Sequence, residues 1–389
     1  MRKQRILAVG GGSGGHITPI VAVLHELQRS NEAVDVRLWC DRSFYAQAKN
    51  IMAQFDPLIR IDTIIAGKLR RYHHITFLQH VTIPSVLWPN IRDIFLVVCG
   101  VVQSIVKLIV WRPDVVFAKG GYVCLPVGWA ARLLRIPLVI HDSDAHPGLT
   151  NRLLARSATC IATGAPLEYY SYPAAKSQYI GIPVADTFYP RSDAERHSLK
   201  KTLCSDADRP LVVVTGGGLG ARVLNDEIME HIDELLAVAN VILISGRDQY
   251  DELQSESPVD DARFQLHAFV SQGMADMLAA ADVVVSRAGA TTLLELAALA
   301  KPTILVPNGR LTGGHQLKNA KVYSDSDAAV IVNDESFGAT SSELTTKIIG
   351  LVQDTHRQQV LAANIHSFAR PQAAVDMAAI IQKAIKKPA

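Results

Sequence analysis

Twice in this chain an apolar run ends in a glycine cluster and passes straight into a helical pattern. The first instance is "RILAVGGGSGGHITPI" (Arg5 to Ile20) and the second is "LVVVTGGGLGARVLNDEI" (Leu211 to Ile228). Gly10, Gly12 and Gly15 satisfy the G-x-G-x-x-G spacing, while Gly216, Gly218 and Ala221 satisfy its G-x-G-x-x-A variant. A glycine loop between strand and helix offers free backbone N–H groups and the positive end of a helix, which suits any pyrophosphate. Such a device belongs to parallel sheets. Its recurrence predicts an α/β chain of two Rossmann-like, doubly wound parallel-sheet domains facing across a cleft, with ligands at the carboxyl ends of both sheets.

Around the two devices, short β-branched or apolar runs alternate with helical patterns. "DVRLWC", "DVVFAKG", "PLVIHD" and "TCIATG" follow the first, and "NVILISG", "RFQLHAFV", "ADVVVSRAGA", "PTILVPN" and "AAVIVND" follow the second. A polar stretch with three prolines precedes the restart, so the boundary is expected near Pro183. The domains are then 1–183 with 367–389, and 184–366, because the tail "AAVDMAAIIQKAIKKPA" reads as a terminal helix. Hydrophobic residues at 49% against 20% charged describe an ordered globular chain, and a net charge of +2 gives no support to polyanion or nucleic-acid binding. Five cysteines without a C-x-x-C pair fit reduced thiols better than a disulfide or zinc framework.

One apolar stretch, Ile91 to Trp111, invites a membrane interpretation, but Arg92, Asp93, Gln103 and Lys107 interrupt it. Upstream, Lys68, Arg70 and Arg71 precede an aromatic-bearing segment. Basic residues beside apolar ones suit docking on an anionic membrane surface, with an ordinary core helix as the competing explanation.

Particular residues carry chemistry. His16 directly follows the first glycine loop, where a ring could take a proton from an attacking hydroxyl. "HDSDAHPG" follows the strand "PLVI" and sets His141, Asp142, Asp144 and His146 on one sheet edge, fit for acceptor binding or base assistance. Consecutive residues on such a turn rarely converge on one ion, so no metal site is expected. In "RAGATTLLELAA", Thr291 or Thr292 is placed to cap the helix. Glu295 is the sole charge on that helix and should meet a donor pair such as the ribose hydroxyls; a plain surface Glu is the alternative. His315, Gln316 and Asn319 offer imidazole and amide groups suited to sugar hydroxyls. Asp41, near the point where a dinucleotide fingerprint wants an acidic residue, keeps an NAD-dependent dehydrogenase open as a rival.

Taken together, "GGGSGGHITP", "GGYVCLPVGWAARLLRIPLVIHDSDAHPGLTNRLLA", "GGGLGARVLN", "RAGATTLLELAA" and "HQLKNA" resemble, in order, the motifs of the MurG family of bacterial lipid-linked glycosyltransferases, within glycosyltransferase family 28. The resemblance covers nearly the whole chain and implies an inverting GT-B enzyme of peptidoglycan synthesis. The enzyme would move N-acetylglucosamine from UDP-N-acetylglucosamine to the muramyl-pentapeptide pyrophosphoryl-undecaprenol lipid, as a peripheral protein on the cytoplasmic face of the cell membrane. No cofactor is expected, and no metal, since no D-x-D motif is read at a plausible strand end. On the donor side the resemblance places Ser13, Gly14 and Gly15 by the sugar and diphosphate, Val270 and the turn Ala290, Thr291, Thr292, Leu293, Leu294 and Glu295 at the uridine, and Gln316 and His315 at the sugar. Asp144, Gly218 and Asn319 belong to the same donor set, and Gly216, Gly217, Leu219 and Gly220 form the phosphate loop. Gly120, Gly121 and Tyr122 fall on the acceptor side, and His16 is the expected base with Asp142 as its alternative.

The chain departs from the family at three points. N-P-V-R is "IPVA" (Ile182 to Ala185), H-E-Q-N is "HDSD", and the serine of G-G-S-Q-G is Gly218. The lost arginine suggests Arg222, Arg247 or Arg287 as replacement charges beside the diphosphate. The departures also keep open a lipid-acceptor transferase using another nucleotide sugar, or a membrane scaffold that has lost catalysis.

Overall fold

A computed structural model describes residues 3–11, 17–30, 34–68, 83–218, 220–256, 259–270, 272–309, 314–337 and 342–386. The chain separates into two compact units, residues 1–185 with 370–389 and residues 186–369. Each is built on one parallel sheet.

The first sheet contains β1 (Gln4–Gly10), β2 (Val34–Cys40), β3 (Arg60–Thr63), β4 (Val115–Gly120), β5 (Leu138–Asp142), β6 (Cys160–Thr163) and β7 (Ser177–Tyr179), in the order β3-β2-β1-β4-β5-β6-β7. Both faces are covered. Ile6 and Ala8 of β1 enter one apolar core and Leu7 and Val9 enter the other, the alternation a pleated strand requires. Strands β3 and β7 were not foreseen, because "RIDT" and "SQY" at the two sheet edges are short and polar. The terminal helix Ala373–Lys386 buries Met377, Ile380 and Ile381 in the first of these cores.

In the second unit, β8 (Leu211–Thr215), β9 (Asn240–Ile244), β10 (Phe264–His267), β11 (Val283–Ser286), β12 (Thr303–Leu305) and β13 (Val330–Ile331) run in the order β10-β9-β8-β11-β12-β13. The two topologies correspond. In each sheet the order reverses beside the strand that opens the unit, between β1 and β4 and between β8 and β11. At such a switch point the loops diverge and leave a crevice at the strands' carboxyl ends.

The apolar stretch beginning near Ile91 forms part of a 28-residue helix, Pro84–Trp111. From Trp88 onward it is long and apolar enough to cross a membrane by length and composition, which the interrupting charges had argued against. Those polar residues are used to fasten it to the first unit. Gln103 accepts from Ile65 N at 2.7 Å, Lys107 reaches Asp62 at 3.3 Å, and Asp93 is buried. At Gly100 an added Cβ would lie 2.0 Å from the Ile65 carbonyl oxygen, so the helix and the chain after β3 touch backbone to backbone. Its outer face carries Trp88, Phe95, Val98, Val102, Val106 and Ile109, all more than half exposed. Spacings of 3, 4 and 7 make them one stripe, about 30 Å long at 1.5 Å per residue.

Candidate active site

In the first unit, the glycine turns after β1 and β4 press together. Gly10 pairs with Gly120, and a Cβ on Gly121 (φ +86°) would sit 2.6 Å from the Gly11 carbonyl oxygen. Gly11 in turn lies against Asp41, whose Oδ1 is 2.3 Å from the position of a Gly11 Cβ. Ser13, Gly14, Gly15 and His16 lie outside the described residues.

Asp41 is buried and committed to local structure. It caps the turn Arg42–Phe44, accepting from Phe44 N at 3.2 Å and from the Ser43 hydroxyl, and the Tyr122 phenol bonds to the same pair. Burial pushes that phenol up to about 12. A dinucleotide fingerprint needs its acidic residue to face a ribose; here it holds the loop instead.

The carboxyl ends of β4 and β5 carry a second buried cluster. Asp142 is 3% exposed, accepts from Tyr172 Oη at 2.6 Å and bonds the Asn151 amide. Burial raises its carboxyl to about 7, against the pull of Tyr172, Asn151 and Lys119. His141 Nε2 donates to the Gly181 carbonyl at 2.8 Å, a structural tie between β5 and the segment after β7. Tyr170 Oη donates to the Asp144 carbonyl at 2.6 Å, and its ring stacks on Tyr172. Lys119, which sequence reasoning missed, is 1% exposed and donates to the Ser143 hydroxyl. Burial lowers its ammonium to about 8, while Asp144 and Asp142 oppose the shift. Asp142 and Asp144 do have D-x-D spacing. Tyr172 and Asn151 already bond Asp142, and the Lys119 charge acts on both carboxylates, a setting that does not suit a divalent ion.

The second unit presents the opposite condition. The loop after β8 is shaped by Gly217 (φ +81°) and Gly220 (φ +76°), and a Cβ on Gly220 would come within 2.2 Å of the Ser245 carbonyl oxygen. A side chain at Gly216 would meet Ala221 N at 2.4 Å, whereas Gly218 faces open space within 4 Å. Leu219 lies outside the described residues. The loop leads into the helix Arg222–Glu230, capped by Ala221 without a side-chain bond; Leu224 N and Asn225 N donate to the Ala221 carbonyl, which leaves the N–H groups of Arg222 and Val223 for an anion.

After β11, the helix Ala290–Ala298 begins at Gly289, again with no side-chain cap. The expected capping by Thr291 or Thr292 is therefore corrected: both lie inside the first turn, because Gly289 already has the extended cap conformation. Glu295 is half-buried and makes no hydrogen bond or ion pair to any described residue. Loss of water alone raises its carboxyl to about 8. Leu293 and Leu294, beside it, are buried in the unit.

The helix His315–Asp325 completes this edge. Asn319 is buried and donates to the Ala288 carbonyl at 3.2 Å, tying the helix to the turn after β11. Gln316 Oε1 accepts from Asn308 N at 2.8 Å, which leaves its amide hydrogens for a ligand. His315, half-buried, opens the helix after Gly314. Val270, half-buried, follows β10. Two of the three arginines proposed as replacement charges are already paired. Arg222 makes a bidentate bond to Glu252 at 2.7 and 2.6 Å, and Arg287 is buried between Asp334 at 2.7 Å and the Val306 carbonyl at 2.9 Å. Among the described residues, the group able to converge on a metal is Glu227, Glu230 and His231, at the far end of the helix from the glycine loop.

Comparison with known proteins agrees with this geometry. Residues 6–163 match the glycosyltransferase family 28 N-terminal domain and residues 211–377 match the family 28 C-terminal domain. A relative from Natranaerobius thermophilus is 31% identical over 98% of this chain and 100% of its own length. The chain belongs to glycosyltransferase family 28. That relative is named UDP-N-acetylglucosamine–N-acetylmuramyl-(pentapeptide) pyrophosphoryl-undecaprenol N-acetylglucosamine transferase, as is a Clostridium kluyveri protein 31% identical over 85% of this chain and 87% of its own. The crystal structure of Acinetobacter baumannii MurG superposes with a TM-score of 0.70 at 25% identity, covering 98% of this chain and 99% of that one. Family 28 membership accounts for the two glycine devices and the ordered motifs. The buried Lys119–Ser143 and Asp142–Tyr172 contacts carried no local sequence signal, since they join residues 24 and 30 positions apart.

Proposed function

We propose that this protein transfers N-acetylglucosamine, with inversion, from UDP-N-acetylglucosamine to a muramyl-pentapeptide pyrophosphoryl-undecaprenol lipid. The end-to-end likeness to transferases of that name carries the proposal. The second unit holds the donor: Glu295 accepts the ribose hydroxyls, the chain at Val270 and the turn from Ala290 border the uridine, and Gln316 contacts the sugar. Backbone N–H groups of the Gly216–Gly220 loop draw off the charge that grows on the departing UDP, an effect worth about 3 kcal/mol per well-placed donor. An acceptor hydroxyl loses its proton to His16 and attacks the anomeric carbon, the C–O bond to the diphosphate breaks, and UDP leaves. Asp142, the alternative base read from the sequence, is buried and bonded to Tyr172 and Asn151, which favours His16.

Gly120, Gly121 and Tyr122, at the turn after β4, serve the acceptor, and the outer stripe of the helix Pro84–Trp111 rests on the cytoplasmic membrane surface. Lys68 lies upstream of it; Arg70 and Arg71 lie outside the described residues. Large contiguous apolar patches of this kind mark interaction surfaces. Substituting Phe95 and Val102 by Glu should release the protein from anionic vesicles in a sedimentation assay.

The deciding experiment follows labelled N-acetylglucosamine from UDP-N-acetylglucosamine into the lipid acceptor. No transfer, alongside turnover of a different nucleotide sugar, would favour the second reading, a related transferase with another donor, which the Ala185, Asp144 and Gly218 departures motivate.

A further inference from the structure

We infer that Arg247 supplies the positive side chain that neutralises the nucleotide's diphosphate at the second glycine loop. The inference rests on the donor reading of that unit. Among the described residues, of the three arginines named as replacement charges, Arg222 is satisfied by Glu252 and Arg287 by Asp334. Arg247 is exposed, and its guanidinium pairs with no carboxylate among the described residues; it lies 5.1 Å from the centroid of the Phe269 ring. A cation–π contact at an exposed site is weak, so a diphosphate readily recruits the group.

Its backbone is held against the loop. Gly220 packs on Ser245 and Gly246, with the position of its Cβ 2.9 Å from the Gly246 Cα. From the loop's own helix, buried Asn225 donates to the Ser245 carbonyl at 2.8 Å and to Gln249 Oε1 at 2.8 Å. Arg247 therefore begins its helix, Arg247–Glu256, directly after Gly246, the residue against which Gly220 of the phosphate loop packs. Uncapped N–H groups and a guanidinium then stand at the same edge. Their shared complement is a doubly charged diphosphate, which needs both directed donors and net positive charge.

The test measures Kd for UDP and for uridine on the full chain carrying R247M, R247K or R222M. R247M should weaken UDP by about tenfold while leaving uridine unchanged, R247K should recover part of the loss, and R222M should bind UDP within about twofold of the parent. UDP affinity unchanged in R247M, or uridine weakened equally, overturns the assignment. A parent chain that binds uridine and UDP equally weakly overturns the donor reading itself, a result distinct from either.

Discussion

The two units open with the same device and end with opposite electrostatic conditions at the sheet edge. In the first, the acidic groups placed there by β2 and β5 are consumed by the protein: Asp41 caps a turn, and Asp142 is held by Tyr172 and Asn151. In the second, Glu295 sits among leucines and alanines with no partner among the described residues, and Arg247 rests on a ring. A buried donor or acceptor left unmatched costs about 1–3 kcal/mol, more when charged. A site that tolerates the cost is organised for a ligand that removes it. The difference supports the proposed donor placement: an edge whose groups are already satisfied has nothing to gain from ribose hydroxyls, and an edge with an orphan carboxylate does.

Four perturbations would break or sharpen this contrast. The largest concerns His16. His16→Ala should lower turnover about 100-fold or more while UDP affinity stays unchanged, assigning chemistry to the first unit and donor binding to the second. Unaltered turnover would remove His16 from the base role.

Glu295→Gln should weaken UDP binding by about tenfold or more, since hydrogen bonds to a charged group contribute about 1.5–3 kcal/mol. The pH dependence follows from a carboxyl raised from 4.5 to about 8. Ribose hydroxyls donate best to the ionised form, so UDP affinity should rise with pH up to about 8 and then level off. Stability runs the other way. The unfolded chain loses this proton near 4.5 and the folded one near 8, so the folded state holds more protons between them, and stability falls as pH rises through that window. Isothermal titration and melting curves across pH should show both trends, and Glu295→Gln should flatten both.

Asp41→Ala should cost about 1 kcal/mol of stability, as loss of a cap does, without creating or removing nucleotide binding. A stabilising shift with NAD in the parent chain that vanished in this variant would revive the dehydrogenase reading. The smallest effect belongs to Gly218→Ser. Nothing lies within 4 Å of the added Cβ, so UDP affinity should stay within about twofold and folding should be untouched. A severe loss would mean that the loop is closed rather than open.

Much of this was legible in the chain because it is local. An apolar run followed by glycines and a helical pattern specifies a strand, a tight turn and a helix start, and the pattern's recurrence gave both sheets. Glu295 was visible as the lone charge in "ATTLLELAA", since such a residue must either reach water or meet a partner. Edge strands β3 and β7 escaped notice because polar, three- and four-residue strands have no periodicity to detect. The helix Pro84–Trp111 was legible as apolar, but not the use of its polar residues. Gln103 and Lys107 interrupt the sequence pattern, and they do so because they fasten the helix to the chain at β3.

By itself, then, the sequence determined the two parallel-sheet units, their glycine loops and the family motifs, because backbone conformation and burial period are written in neighbouring residues. Tertiary structure alone decided which charges are free. Asp41, Asp142, Arg222 and Arg287 look as available in the sequence as Glu295 and Arg247 do, and only the partners that folding brings from distant positions separate the satisfied groups from the waiting ones.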